Sequence, residues 1–548
     1  MGFPGFGITA LSLTACIYLI FATGVQSRLV LAEAFAGAWA VAAFAWAIWS
    51  VLIYPRCVSP LRKLPTAGGA HWLFGHGQRL MMAEGAEGEP TREWITTIPH
   101  DGLLRYFWFF NMERVLVSSD KGLAEVLVTK SYQFKRPDYV RKLLAPVLGV
   151  GILLTEGDVH KAQRRHLMPA FAFRHVKDLY PVFWNKAREV VQAMTSKADS
   201  DGVAQLDALD WANRCTLDII GVAGLGVDFG SIQDPSNPLA VTYKSLMAEQ
   251  GGSRILSLLH LLFPTWLVGM LPVRRNRVVD NANRVIRGTC RHLIRDKKRK
   301  MADDRKRTDV DILSVALESG CFSDDNLVDQ LMTFLAAGHE TTASALTWAT
   351  YLLSCHPAVQ TRLRNEIRDN LPPLDDDADM TSAEIDSLPY LNAVCNEVLR
   401  VFSPVPRTSR EAIEDTTIQG QHIPKGTVIM LSPWGTNVDP NLWGTDAMEF
   451  KPERWLVDAE TDAKRAAGGG GASSNYAFLT FLHGPRSCIG ARFAKSEFAC
   501  LLAAWAGRFE FELRDRDMMD RNKLVVRYGV TARPKGGLHV RARAVPGF

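Results

Sequence analysis

Residues 481–490, FLHGPRSCIG, set one cysteine among two glycines, a proline and an arginine. A cysteine so placed can be a buried thiol, half of a disulfide, or a thiolate bound to a metal. The chain has nine cysteines, an odd number, widely scattered and with no C-x-x-C pair, so neither zinc nor dithiol spacing is present. A second group is Ala337, Gly338, Glu340, Thr341 and Thr342, which interrupts an apolar run from Asp325 to Cys355. An acid beside an alcohol can pass protons; the same residues read equally well as a helix side facing water. A third is Glu397 and Arg400, three apart and adjacent on one helix face, with Pro452, Glu453 and Arg454 downstream.

These residues need elements to position them. Ser323 and Asp324 are N-cap candidates for a helix over the apolar run, about 45 Å long for roughly 30 residues. Residues 103–117 read as a hairpin around an Asn-Met-Glu turn, and helix signals dominate from Lys121 to about Arg400, where Pro404 and Pro406 stop them. Residues 416–432 are again hairpin-like around Gly420 and Gly426. Residues 464–474 read as a flexible surface insertion, and 295–307 as a solvated helix end and loop. The expected class is mainly α with small β-sheets.

With 63 basic and 58 acidic residues, the net charge is +5, and 47% of the 548 residues are hydrophobic. Neither a nucleic-acid footprint nor disorder stands out. The first 54 residues hold only Arg28 and Glu33 as charges, between apolar runs at 3–25 and 34–54. Each run is long enough to cross a bilayer, and Trp49 and Tyr54 sit where aromatic rings favour headgroups. The first lacks the basic start of a cleaved signal. The expected organisation is therefore a membrane anchor over 1–54 with one or two transmembrane helices, a stiff non-helical hinge over 55–70 containing Pro55, Pro60 and Pro65, and a catalytic domain over 71–548. Arg56, Arg62 and Lys63 place that domain on the cytosolic side, where thiols stay reduced.

The pattern F-x-x-G-x-R-x-C-x-G, at Phe481, Gly484, Arg486, Cys488 and Gly490, resembles the haem-binding loop of the cytochrome P-450 superfamily. Ala337 to Thr342 is similar to that family's oxygen-activating helix, and Glu397, Arg400 and Arg454 to its buried charge network. A looser match is the propionate-contacting helix W-x-x-x-R, in which His160 replaces tryptophan and Arg164 stands at the expected spacing. The resemblance implies the cytochrome P-450 fold after the transmembrane segments, with haem b as cofactor and Cys488 as axial iron ligand. Arg486, Arg164 and possible ligand His160 would meet propionates. Gly484 and Gly490 would let backbone approach the porphyrin, and Phe481 would keep water off sulfur. Glu340 would relay protons, Thr341 would hydrogen-bond dioxygen, Gly338 would leave room for it, and Thr342 would be a packing neighbour.

It further implies a monooxygenase of eukaryotic microsomal and fungal secondary-metabolism type, in the endoplasmic reticulum membrane and facing the cytosol. Electrons would come from NADPH through a separate flavoprotein reductase, docking on a basic face made by residues 160–165, Arg486, Arg492 and Lys495. Substrate-facing positions would be 143–148, Phe334, Ala337, Val405 and 528–531, and apolar residues 255–271 would sit near the membrane beside a lipophilic substrate. Two rival functions are a haem-thiolate isomerase or dehydratase, against which Glu340 and Thr341 argue, and a non-catalytic ligand-binding membrane protein.

Overall fold

The computed structural model describes residues 5–24, 27–82, 89–248, 259, 265–303, 311–376, 379–456 and 469–548. The helix carrying Glu340 and Thr341 spans Asp324–Cys355, 32 residues, and is about 48 Å long at 1.5 Å per residue. Its ends follow from local chemistry. The Asn326 N–H donates to the Ser323 hydroxyl at 3.3 Å, and Asp324 and Asp325 complement the positive end of the helix dipole. It stops at His356 because Pro357 follows, and a residue before proline is disfavoured in the α region. Both flanks of the polar interruption are buried, whereas Ala337, Gly338, Glu340 and Thr341 line an internal cavity. The solvent-facing reading of this helix is thereby set aside.

Helices dominate, and the sheets are small. Leu103–Phe107 and Glu113–Val117 form the expected antiparallel hairpin. Its turn lies two residues earlier than the Asn-Met-Glu stretch, at Phe109–Asn111, where Phe110 and Asn111 take φ of 55° and 51°. Val428–Leu431 joins Glu113–Val117 in parallel, followed by Thr408–Ala412 and Phe134–Lys135, giving a five-stranded sheet. The second expected hairpin forms from Thr416–Ile418 and Gln421–Ile423 alone. Gln419 and Gly420 have φ of 49° and 77°, the left-handed pair that a two-residue hairpin loop requires. The rest of that segment crosses to the large sheet.

After the cysteine loop, Ala491–Arg508 runs as a helix buried over most of its length, packed on Tyr180–Thr195 and Pro357–Asn370. Trp348 and Phe402 stack at 4.3 Å between this core and Trp434. All nine cysteines are free thiols, which removes the disulfide reading of Cys488.

At the N-terminus, Gly5–Thr23 packs against Arg28–Ile48. The second helical stretch, Arg28–Val58, is long and apolar enough to cross a membrane, and its most apolar window is unburied. It starts at Arg28 and runs beyond Tyr54, so the expectation of a non-helical connector from Pro55 is corrected: Pro55 lies inside helix Trp49–Val58. The first hairpin and its turn hold that end: Asn111 Nδ2 donates to the Val51 carbonyl at 2.9 Å and Arg105 Nη1 to the Pro55 carbonyl at 3.0 Å.

Most of 255–271 and part of 464–474 lie outside the described residues. Of the first, Thr265–Gly269 is helical with Leu267 exposed, followed by exposed Met270 and Leu271. Of the second, Gly470 sits against the Trp455 ring, where a Cβ would come within 2.9 Å. The charge run continues helix Arg274–Asp303, and 304–307 lie outside the described residues.

Candidate active site

Cys488 lies on a loop closed by its own N–H, which donates to the Phe481 carbonyl at 2.9 Å. Leu482 and Gly484 both take positive φ, 56° and 73°. At Gly484 a Cβ would fall 2.1 Å from the Leu127 carbonyl oxygen. Gly484 is thus required by packing against neighbouring backbone and does not line the cavity, which corrects the expectation that it faces a porphyrin. Gly490 does line it. Cys488 is solvent-accessible only in the sense that it borders a cavity of about 1510 Å³. Its deep position pushes the thiol pKa up, and the Gly490 N–H and the Arg164 charge oppose that rise. Gly490 is also the N-cap of Ala491–Arg508, so a thiolate there meets the positive end of a helix dipole.

One side of the cavity is strongly basic. Arg164 Nη1 donates to the Ser487 carbonyl at 2.8 Å, bracing the loop next to Cys488. Arg486 pairs with Glu156 and donates to the Thr155 carbonyl at 3.2 Å. His160 is buried, with the Tyr132 hydroxyl 3.4 Å from Nδ1. Burial, with Arg486, Arg164 and Arg410 nearby, lowers its pKa to about 4, so the imidazole is neutral at pH 7. Sequence reasoning missed two members. Arg410 projects from strand Thr408–Ala412, and Arg136 follows strand Phe134–Lys135. Burial lowers Arg410 to about 9, with Arg136 and Arg486 adding to the fall, and lowers Arg136 to about 10. No local pattern marks them; sheet pairing brings them in. His160 and Arg486 turn inward, so neither belongs to an exposed basic face; Lys161, Arg165, Arg492 and Lys495 remain exposed there.

Across the cavity, Thr341 Oγ1 donates to the Ala337 carbonyl at 2.8 Å. Glu340 Oε1 accepts the Thr531 hydroxyl at 2.6 Å and lies 3.5 Å from Arg533 Nη1. Gly338 lines the cavity, and a Cβ there would come within 2.8 Å of Ile220 Cδ1, so the missing side chain also lets Ile220 pack. Thr342 is buried and donates to Glu497 Oε2 at 3.0 Å. Glu497 was also missed, though a lone acid among Phe493, Phe498 and Ala499 in an apolar helix was a usable signal. Burial raises its pKa well above the carboxylate range. Of the expected substrate-facing residues, Phe334, Ala337, Val405, Tyr528, Gly529, Val530 and Thr531 line the cavity, as do all of 143–148 except Ala145.

The charge network is fully buried. Arg400 Nε and Nη2 each donate to Glu397 at 2.7 Å, and Arg454 Nε, Trp455 Nε1 and the Lys451 N–H reach the same carboxylate at 3.0, 2.8 and 2.8 Å. Arg400 Nη1 continues to the Asn437 carbonyl at 2.9 Å. The Asn437 side chain then accepts the Leu479 N–H at 2.7 Å and donates to the Thr480 hydroxyl at 2.8 Å. The network therefore ends one residue before Phe481.

The family model for cytochrome P-450 matches residues 66–539. The chain is 49% identical over 511 residues to the cytochrome P-450 monooxygenase sphH of Aspergillus fumigatus, covering 91% of both chains. It is 43% identical over 558 residues to the monooxygenase ALT8 of Alternaria alternata, covering 92% of this chain and 93% of that one. With FUM15 of Gibberella moniliformis it shares 44% identity over 543 residues and 91% of each chain.

Proposed function

The chain belongs to the cytochrome P-450 family, and from that membership we propose a membrane-bound monooxygenase that inserts one oxygen atom of O₂ into a lipophilic small molecule of secondary metabolism. It is an oxidoreductase, as its relatives are. The observation that carries the reading is the convergence of Cys488, Thr341, Glu340 and the arginine cluster on one cavity.

The family implies haem, and the donor set fits it. Four cavity-lining guanidiniums, Arg136, Arg164, Arg410 and Arg486, gather near the Glu156 carboxylate, and Nε of Arg136 and of Arg486 are buried without a partner among the described residues. Planar bidentate donors suit the two propionates, and a lone soft sulfur suits the iron. Cys488 would hold the iron, and the four arginines with His160 the propionates. Phe481 and Gly490 wall the sulfur side, Phe481 excluding water. Bound there, haem supplies O₂ activation, which a thiolate ligand favours by donating electron density.

Thr341 and Glu340 handle the proton. The bond to Ala337 fixes the Thr341 hydroxyl so that its oxygen faces the cavity as an acceptor. Glu340, held by Thr531 and Arg533, stands in the same cavity as the acid of the relay. Glu397, Arg400 and Arg454 keep the cysteine loop in place without touching substrate. Electrons come from NADPH through a separate flavoprotein reductase that meets the exposed Arg492 and Lys495 side. Helix Arg28–Val58 anchors the enzyme in the endoplasmic reticulum membrane, its basic flank at Arg56, Arg62 and Lys63 keeping the catalytic domain cytosolic.

The test is a reduced carbon monoxide difference spectrum, followed by product analysis with a reductase in a pathway host. A thiolate-type band and an NADPH-dependent product carrying one atom from O₂ are expected. A spin shift on substrate binding without NADPH consumption would instead favour a ligand-binding protein.

A further inference from the structure

A buried positive charge ordinarily meets a carboxylate, because charge taken from water without compensation is costly. Arg114, on strand Glu113–Val117, is 4% exposed, lines the cavity and has no carboxylate within ion-pair distance among the described residues. Its guanidinium carbon lies 4.2 Å from the Trp108 ring centre and 5.5 Å from that of Tyr139. Rings take the flat faces of a guanidinium and leave its N–H edge for an in-plane acceptor. The nearby Tyr106 hydroxyl cannot supply a counter-charge, since burial pushes its pKa up to about 12 even against the Arg114 charge. Besides the arginine cluster near Cys488, the cavity is lined by other cations, among them Lys142 and Arg407; Arg407 is 3.4 Å from Glu89 and donates to the Leu80 carbonyl at 3.0 Å, and Arg533 lies 3.5 Å from Glu340.

From this point an apolar path leads to the catalytic helix. Helix Asp138–Leu148 begins beside Tyr139, against Arg114, and ends where the Leu148 carbonyl accepts the Thr333 hydroxyl at 2.7 Å. Its length is about 16 Å for eleven residues at 1.5 Å each. Leu143, Leu144, Val147 and Leu148 line the cavity along it, and Phe334 continues the wall. We propose that Arg114 receives the carboxylate of the substrate, which is therefore an amphipathic acid whose apolar chain lies along 143–148 and whose oxidised carbon lies towards Thr341 and Cys488. This names the substrate class for the monooxygenase reading and rests on it.

The experiment uses full-length haem-loaded enzyme in detergent, with hexadecanoic acid, its methyl ester and hexadecanol as probes, at pH 8 and low salt. Binding is followed by equilibrium dialysis and by the haem absorption shift. Wild type is expected to bind the acid at least about tenfold more tightly than the alcohol or the ester, as a charge-assisted bond would give. Arg114→Gln should erase the acid preference while keeping haem content and the carbon monoxide band; Arg114→Lys should keep part of it. Equal affinity for acid and alcohol in wild type, no uptake of the acid, or an acid preference that survives in folded Arg114→Gln would overturn the proposal. Failure of the monooxygenase reading shows separately, as absence of a thiolate-type band in wild type.

Discussion

Glu497 offers a test of how the cysteine helix is joined to the catalytic helix. Its carboxyl is fully buried, one oxygen accepts from Thr342, and the other has no partner among the described residues. Burial raises the folded-state pKa well above the ordinary 4.5. Below pH 4.5 both folded and unfolded chains carry the proton, and the stabilisation is fully present. Above that, the unfolded chain releases it while the folded chain keeps it, so stability falls as pH rises until the folded pKa is reached. While the folded chain keeps the proton, the slope is about 1.4 kcal/mol per pH unit. An unfolding entropy of about 2.1 cal/mol/K per residue over 548 residues turns this into a midpoint change of about 1 °C per pH unit. Glu497→Gln has no such proton. Thermal midpoints of haem-loaded wild type and variant should therefore diverge at about that slope above pH 4.5, with wild type losing ground as pH rises. Parallel curves, or divergence of the opposite sign, would refute the protonated-acid account.

Cys488→Ser should abolish the thiolate-type reduced carbon monoxide band and turnover, whereas Cys500→Ser should leave the band in place; one spectrum of each variant decides it. Thr341→Ala should keep haem content and substrate binding but consume NADPH with peroxide replacing oxygenated product, measured as the three quantities in one assay. Unchanged coupling there would make the polar step in the long helix structural. Glu397→Ala leaves Arg400 buried without its carboxylate, a loss of about 3–5 kcal/mol; the expected outcome is little or no haem-loaded protein on expression. Removing residues 1–54 should release much of the protein from membranes and leave a haem-binding domain, judged by fractionation and the carbon monoxide spectrum.

Much of the site was legible in order along the chain because its chemistry depends on fixed local geometry. The loop around Cys488 needs left-handed backbone at Gly484, the three-residue spacing of Glu397 and Arg400 is a helix turn, and Ser323 and Pro357 bound the long helix. Local rules of that kind survive in a linear reading. What they cannot supply is the partner across space. Gly484 was rightly singled out but for the wrong neighbour, since Leu127 comes from a distant segment, as does Ile220, which packs against Gly338. Arg136 and Arg410 entered the basic cluster through strand placement, and His160 became a neutral group only because three arginines and burial surround it. Pro55 marked a helix end by its own chemistry, yet the helix continues to Val58, with Arg105 and Asn111 donating to carbonyls there. The sequence by itself marked the candidate thiolate, the candidate acid and alcohol, and the Glu397–Arg400–Arg454 network, because each is a residue type at a spacing. Only the tertiary structure decided which charges are compensated, because compensation is a matter of distance and burial, and neither is written in the order of residues.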